Sequence, residues 1–207
     1  MIRRWQAWWS QEQASVGSAA FWLAAASVAS RLLGVLRDRL LATQYGAGWE
    51  LDAYYAAFRL PDTLYNLLII GALSAGFIPV FADIKARRGN AEALRFSGTV
   101  FAWLAAALAG LSAVGIACAP RLVPLLAHGF DAQRLEMAVR LTRILFLSPL
   151  FLGISAVFGG VLQASKRMLA FAFAPVWYNV GILAGILLLA PRFGIVGVAM
   201  GVVLGAA

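Results

Sequence analysis

Charged residues are scarce in this chain of 207 residues. They make up 13% of the sequence, whereas 62% of the residues are hydrophobic. A typical soluble protein has about 25% charged residues. So few charges cannot cover so much apolar surface, and several apolar runs approach the roughly 20 residues that cross a bilayer. The composition therefore excludes a soluble domain and predicts an all-α membrane protein, a polytopic helical bundle.

Cysteine pairs and recognisable catalytic patterns are also absent from the sequence. The single cysteine, Cys118, lies in an apolar run, so neither a disulfide framework nor a cysteine metal site is expected. There is no Ser-His-Asp set, no HExxH pattern and no phosphate-binding glycine loop. The sequence therefore predicts no enzyme, no metal site and no cofactor.

The net charge of +8 does not indicate nucleic-acid binding, because the basic residues lie mainly in short segments between apolar runs. Such a distribution is typical of cytoplasmic loops. With the N-terminus inside, eight basic residues fall on the cytoplasmic side and three on the outer side. The eight are Arg3, Arg4, Lys85, Arg87, Arg88, Arg95, Lys166 and Arg167, and the three are Arg121, Arg134 and Arg192. We therefore expect a multi-pass protein with a cytoplasmic N-terminus.

Six membrane segments can be drawn along the chain. Residues 1–17 are expected to lie at the membrane interface, where Trp side chains beside Arg are common. Residues 18–207 are expected to form the membrane bundle. The predicted segments lie near 18–43, 51–82, 98–119, 136–162, 170–190 and 194–207. The second is long for one span, and we expect Pro61 to kink it.

The sixth segment is short. It has only about 14 residues, or roughly 21 Å of helix, against a hydrocarbon core of ~30 Å. No Lys, Arg, Trp or Tyr anchors its end. We therefore expect this chain to be the N-terminal lobe of a longer protein, lacking its C-terminal lobe and unable to transport by itself. The alternative is a short membrane protein whose sixth segment is re-entrant or completed by a dimer partner.

The first two segments carry charges that an ordinary membrane anchor lacks. Such a charge near the bilayer centre costs at least ~2.5–3.5 kcal/mol. Helical spacing places Ser27, Arg31, Gly34 and Asp38 on one stripe, with Arg37 about 100° round from Asp38. The second segment has a similar stripe of Asp52, Tyr55, Arg59, Asp62 and Asn66. Facing one another or a shared wet cavity, the two stripes would avoid lipid.

Two interpretations of these stripes are possible. In the first, acids and arginines form ion pairs that hold the two helices together. In the second, Arg31 and Arg37 face an anion-binding cavity, because the planar guanidinium donates two parallel hydrogen bonds to phosphate and stays charged. Arg39, near the outer end, is expected to reach the headgroups instead.

Several motifs follow one another along almost the whole chain. Residues 30–38 read SRLLGVLRD and residues 58–62 read FRLPD. They are followed by GALS at 71–74, FIPVF at 77–81, LAHGF at 126–130, and AFAP at 172–175 with Asn179. In this order the motifs resemble those of the MurJ (MviN) family of lipid II flippases.

This resemblance implies the N-terminal lobe of a transporter of the multidrug/oligosaccharidyl-lipid/polysaccharide exporter superfamily, in the bacterial inner membrane. Two lobes of six helices would surround a cavity that binds the diphosphate of a lipid-linked peptidoglycan precursor. Alternating access would carry that headgroup from the cytoplasmic to the periplasmic leaflet. The expected partners are this precursor, membrane lipids and the missing C-terminal lobe, and no nucleic acid. The candidate substrate-binding residues are Arg31, Arg37, Asp38, Ser30, Asp52 and Arg59.

The chain departs from the family pattern in its second segment. Tyr65, Asn66 and Ile70 stand where the family often has basic residues and an acid. The substrate can therefore be another polyprenyl-diphosphate-linked glycan. A drug or cation exporter would prefer acids in the cavity, and the Arg31 and Arg37 pair disfavours it. A non-transporting membrane scaffold would pair its polar stripes internally and leave no cavity.

The topology can be tested with reporter fusions after Gly89 and after His128. A reporter that is active only in the cytoplasm should be active when fused after Gly89, and a reporter that is active only outside should be active when fused after His128. The reason is that loops rich in Lys and Arg favour the cytoplasmic side. An externally active fusion at Gly89 would contradict the predicted orientation.

Overall fold

The computed structural model describes residues 16–67, 76–164 and 168–207. The predicted interfacial segment, 1–17, lies almost wholly outside these residues. Every regular element in the described part of the chain is a helix. The predicted all-α class is therefore confirmed.

Nine α-helices make up the described structure, and a π-helical turn at Gly185–Leu189 joins the seventh to the eighth. They are α1 (Val16–Tyr45), α2 (Trp49–Tyr65), α3 (Ile78–Arg88), α4 (Asn90–Leu126), α5 (Ala132–Leu145), α6 (Leu147–Ala164), α7 (Met168–Ala184), α8 (Ala190–Phe193) and α9 (Ile195–Ala206). Three described stretches are long and apolar enough to cross a membrane: Asn90–Leu126, Ala132–Leu162 and Ala172–Phe193. The last helix, α9, is apolar but shorter.

The helix bounds differ from the predicted segments in three places. The segment predicted at 51–82 corresponds to α2 and α3, and residues 68–75 between them lie outside the described part. The segment predicted at 98–119 lies within the longer helix α4. The segment predicted at 136–162 begins earlier and is divided into α5 and α6.

The division between α5 and α6 follows from one proline. Pro149 has no N–H, so it cannot donate to the carbonyl oxygen of Leu145 four residues earlier. The hydroxyl of Ser148 donates to that oxygen instead, at 2.7 Å. Because Ser148 is buried, this hydrogen bond satisfies a carbonyl group that the proline would leave unpaired inside the bundle. The helix axis therefore breaks near Phe146 without an exposed polar backbone group.

Six pairs of α-helices make the main contacts of the described bundle. α1 packs on α7, α7 packs on α9, α2 packs on α5, and α4 packs against its neighbours α3, α5 and α6. Two buried apolar clusters result. The larger joins α1, α2, α5, α7 and α9 around Leu41, Ala57 and Leu141, and the smaller surrounds Phe81 and Leu108.

The contact between α7 and α9 depends on glycine. A Cβ atom added to Gly201 would lie 2.5 Å from the Cα atom of Gly185, and one added to Gly197 would lie 2.5 Å from the carbonyl carbon of Leu189. Real Cβ atoms do not approach so closely, so only glycine permits the two backbones to come together. Small residues serve membrane helix packing in this way because the backbones can then make extensive van der Waals contact.

We expect Gly201→Ala to destabilise the bundle by about 1–3 kcal/mol, because its methyl group would force α7 and α9 apart. The matched control is Gly110→Ala in α4, where an added Cβ would meet nothing within 4 Å. That change should be neutral or slightly stabilising, since alanine favours helix. The free energy of unfolding in detergent would be measured for both variants, and equal values would contradict the close contact.

Candidate functional site

The two helices with charged stripes have different packing partners. α1 lies mainly against α7, α2 lies mainly against α5, and α1 and α2 touch each other only slightly. A cavity of about 1000 Å³ lies between them. The stripes therefore do not form a direct helix-to-helix seam of ion pairs, and part of each faces a shared space.

Five helices line this cavity. The polar side chains of its wall come mainly from α1, α2 and α7, while α6 and α9 add mostly apolar or small residues. The polar lining residues are Ser27, Arg37, Tyr54, Tyr55, Arg59, Asp62, Tyr65, Asn66, Ser155 and Tyr178. The lining thus carries two guanidinium groups, one carboxylate and four phenol groups.

Arg37 is fixed in the cavity wall by partners on two helices. Its Nε atom donates to Oδ1 of Asp38 at 2.9 Å, and its Nη1 atom donates to Oδ1 of Asn179 on α7 at 3.3 Å. The Arg37 side chain is 28% exposed, which leaves its remaining N–H groups accessible from the cavity. Because a guanidinium has five N–H donors, two such bonds leave capacity for a bound anion.

Asn179 connects α1 to α7 through a small hydrogen-bond network. Its side chain is buried, and its Nδ2 atom donates to Oγ of Ser30 at 3.1 Å and to the carbonyl oxygen of Pro175 at 2.9 Å. The same amide accepts the bond from Arg37. Asn179 therefore sets both the approach of α1 to α7 and the position of the Arg37 guanidinium.

Arg59 enters the cavity from α2. Its Nη1 atom donates to the carbonyl oxygen of Leu126 at 2.9 Å, at the end of α4. That carbonyl belongs to the last turn of α4, whose final C=O groups have no partner within the helix. Arg59 thus joins α2 to α4 while its other donors stay available at the cavity.

The structure separates the predicted site residues into two groups. Arg37 and Arg59 line the cavity, and Ser30 and Asp38 contact Arg37 directly or through Asn179. Arg31 and Asp52 are exposed and do not line it. Asp52 pairs with Arg134 of α5 at 3.3 Å, whereas Arg31 has no ion pair or hydrogen bond with a described residue. Arg31 therefore stays a predicted substrate-binding residue, and in this structure its side chain lies outside the cavity lining.

The cause of this difference is the face that α1 turns toward the cavity. The predicted stripe continues from Ser27 through Gly34 to Asp38, whereas the cavity face continues from Ser27 to Arg37 and Leu41. Adjacent positions differ by about 100° around a helix, so the choice between residues 37 and 38 turns the face considerably. Hydrogen bonds of Ser30 and Arg37 to α7 decide between them.

Sequence reasoning gave no role to Asn179 or Tyr178. Both lie in an apolar run of α7, and Tyr178 lines the cavity. A lone asparagine in a membrane segment is a usable signal, because a polar side chain in lipid is costly unless it has a partner. Among the described residues, no group of three or more His, Cys, Asp or Glu side chains is arranged to hold a metal ion.

Comparisons with known proteins decide the family. The family described as lipid II flippase MurJ matches residues 41–207. The chain belongs to the MurJ family of lipid II flippases. This is a family of membrane transporters rather than a class of enzymes, which agrees with the apolar helices and the central cavity.

Individual MurJ relatives match a similar part of the chain. The lipid II flippase MurJ of Burkholderia cenocepacia is 38% identical over 165 residues, which cover 79% of this chain and 32% of that protein. The probable lipid II flippase MurJ of Rhizobium tropici is 34% identical and covers 74% of this chain and 30% of that protein. The chain therefore spans about a third of the length of these curated relatives.

A solved structure supports the same assignment. The chain is similar to lipid II flippase MurJ in an inward closed conformation, with a TM-score of 0.75 and 25% identity. The similarity covers 89% of this chain and 39% of that structure. The helices described above are therefore those of a MurJ bundle.

Replacing Asn179 with leucine should destabilise the protein by about 1–3 kcal/mol, because it removes the partner of Ser30 and of a partly buried arginine. An Arg37→Ala and Asn179→Leu double variant should lose less than the sum of the single changes, since the two residues interact. Free energies of unfolding in detergent would give this coupling. The exposed Gln44→Leu in α1 is the control, and strictly additive losses would contradict the network.

Proposed function

We propose that this chain forms the N-terminal part of a flippase for lipid II, the lipid-linked peptidoglycan precursor. The flippase lies in the bacterial inner membrane with its N-terminus in the cytoplasm, and carries the headgroup to the periplasmic leaflet. The observation that carries the proposal is the cavity position of Arg37, held by Asp38 and Asn179 in a chain of the MurJ family.

The chemistry of the cavity suits a diphosphate. Arg37 and Arg59 both line it, and each uses only some of its N–H donors within the protein. A guanidinium binds phosphate oxygens through two parallel, charge-assisted hydrogen bonds. In a cavity partly shielded from water, these bonds are stronger than at an exposed surface. Asp38 acts as a positioning residue, since its carboxylate orients the Arg37 side chain.

The cavity also favours a transporter over the alternative of a non-transporting membrane scaffold. A scaffold would pair its charged stripes internally and leave no space between them. Here a volume of about 1000 Å³ lies between α1 and α2, and neither Arg37 nor Arg59 pairs with a carboxylate of the opposite helix. A space of this size, with few polar groups in an otherwise apolar wall, is typical of a ligand site.

Transport by this mechanism requires a second lobe. In transporters that work by alternating access, one bundle moves against another around a fixed site. We propose that the C-terminal lobe closes the cavity over the headgroup, and that the Arg37 and Arg59 side chains hold the diphosphate during this movement.

Arg37→Ala should abolish or strongly reduce transport while leaving membrane insertion intact, because it removes the fixed guanidinium from the cavity. Arg37→Lys should restore only part of the activity, since an ammonium group keeps the charge and loses the planar fork. The measurement is complementation of a strain depleted of its lipid II flippase, using the gene that carries this region, together with membrane levels of each variant.

Two further variants provide controls for this experiment. Arg39→Ala should be mild, because Arg39 is exposed and does not line the cavity. Arg31→Ala should reduce transport less than Arg37→Ala for the same reason. If Arg37→Ala is inserted and complements as well as Arg39→Ala, the diphosphate site does not lie at Arg37.

A further inference from the structure

Part of the cavity wall has a chemistry different from that of the arginines. Asp62, Tyr65 and Asn66 lie on α2 beyond Arg59, and Tyr178 lies on α7 next to Asn179. We call these four residues the tyrosine wall. On α2 the wall begins about 4.5 Å from Arg59 along the helix axis and ends about 10 Å from it, at 1.5 Å per residue. A headgroup whose phosphates reached Arg59 or Arg37 would therefore extend along this wall.

Tyr178 joins the tyrosine wall to the arginine site. Tyr178 lines the same cavity as Asp62 and Tyr65 of α2 and Arg37 of α1. The adjacent residue, Asn179, hydrogen-bonds to the Arg37 guanidinium. The wall and the diphosphate site are thus neighbouring parts of one cavity rather than two separate sites.

Within the described residues, the polar side-chain groups of the tyrosine wall make no hydrogen bond or ion pair with the protein. Asp62 makes no ion pair or hydrogen bond with a described residue, although Arg59 lies one turn away and donates to Leu126 instead. The side chains of Tyr65, Asn66 and Tyr178 likewise make no hydrogen bond with another described residue. These groups line the cavity with their donors and acceptors available to a ligand.

The side chains of the tyrosine wall favour one class of ligand over others. A carboxylate and an amide oxygen accept hydrogen bonds from hydroxyl groups, the phenols and the amide NH₂ donate them, and tyrosine rings provide flat apolar surface. An acidic group would be repelled by Asp62. A bare metal ion would have only one carboxylate to bind and two arginines in the same cavity. An uncharged sugar is the class of ligand that would use all these groups together.

We propose that the tyrosine wall binds the uncharged sugar residues of a polyprenyl-diphosphate-linked glycan and discriminates against acidic sugars. This inference rests on the proposed function, because it places the glycan beside a diphosphate held at Arg37. The wall supplies selectivity for the glycan, and the arginines supply affinity for the phosphates that all such lipids share.

The test measures binding of three lipids, in nanodiscs, to the purified full-length protein encoded by the gene that carries this region. The probes are a polyprenyl diphosphate without sugar, the same lipid with a neutral disaccharide, and the same lipid with a disaccharide containing a uronic acid. We expect the neutral glycolipid to bind roughly tenfold more tightly than the other two, because charge-assisted and neutral hydrogen bonds to the sugar add about 1.4 kcal/mol or more.

Single-residue variants test whether the tyrosine wall causes this preference for the neutral glycolipid. Asp62→Asn and Tyr178→Phe should each remove most of the preference for the neutral glycolipid. Tyr178→Phe should leave binding of the sugar-free lipid unchanged, and Asp62→Asn should not weaken it, because that change removes a negative charge from a cavity that also holds Arg37 and Arg59. Arg37→Ala should weaken binding of all three lipids. The controls are Asp83→Asn and Tyr45→Phe, which change a carboxylate and a phenol outside the cavity lining and should bind like the original chain.

The outcomes distinguish the two proposals. If the original chain binds all three lipids equally, or the wall variants weaken all three equally, the inference about sugar is wrong and the diphosphate site stands. If the uronic-acid lipid binds as tightly as the neutral one, discrimination against acidic sugars is wrong. If the original chain binds none of the lipids, the proposed function fails, and the inference fails with it.

Discussion

The cost of a charged guanidinium inside an apolar bundle constrains the rest of this structure. Arg37 lies on α1, within the first predicted membrane segment, and an unpaired charge near the centre of a bilayer costs at least ~2.5–3.5 kcal/mol. The bundle reduces this cost with an adjacent carboxylate, a buried amide on α7 and a cavity whose wall carries further polar side chains. Removing any one of these three would leave the charge facing either lipid or a packed apolar wall.

The position of Asn179 depends on packing far from any charge. α7 is placed by its contact with α9, where glycine backbones meet at distances that no side chain allows. α1 is then placed by α7 through Ser30, Asn179 and Arg37. The geometry of the proposed diphosphate site therefore rests on van der Waals contact between small residues, as expected in a medium where apolar burial gives little advantage between helices.

Much of this arrangement could be predicted from the sequence, and the reasons for the exceptions are physical. Low charge and long apolar runs indicated the all-α membrane class, and motif order indicated the family. The sequence did not determine which face of α1 lines the cavity, because Arg37 and Asp38 are neighbours and both are compatible with the stripe through Ser27 and Gly34. Which of them faces the cavity is decided by hydrogen bonds to α7, about 140 residues away in sequence, and no local pattern contains that information.

The break at Phe146 was missed for a related reason. Pro149 lies within the fourth predicted segment, 136–162, but a proline in a membrane helix can cause anything from a slight bend to a full break. The outcome depends on whether another group satisfies the freed carbonyl, and here the hydroxyl of Ser148 does so. Asp62 and Asn66 of the tyrosine wall belong to the stripe predicted to face a wet cavity, whereas Tyr65 and Tyr178 were given no such place. Tyrosine is common near membrane interfaces, so its presence in a helix does not distinguish a cavity from a headgroup position.

The balance of charge in the cavity suits a site that must release its ligand. Arg37 and Arg59 contribute two positive charges to the lining and Asp62 contributes one negative charge, which leaves a net charge of +1. Asp38 compensates Arg37 further from outside the lining. Each additional 1.4 kcal/mol of attraction would strengthen binding about tenfold, so a cavity with several uncompensated arginines would hold a diphosphate too tightly to release it. Tyr65 and Asn66 line the cavity without adding positive charge, so this attraction stays modest. If the cavity binds a glycan as proposed, hydrogen bonds to the sugar contribute a larger share of the binding free energy than they would beside a denser positive charge.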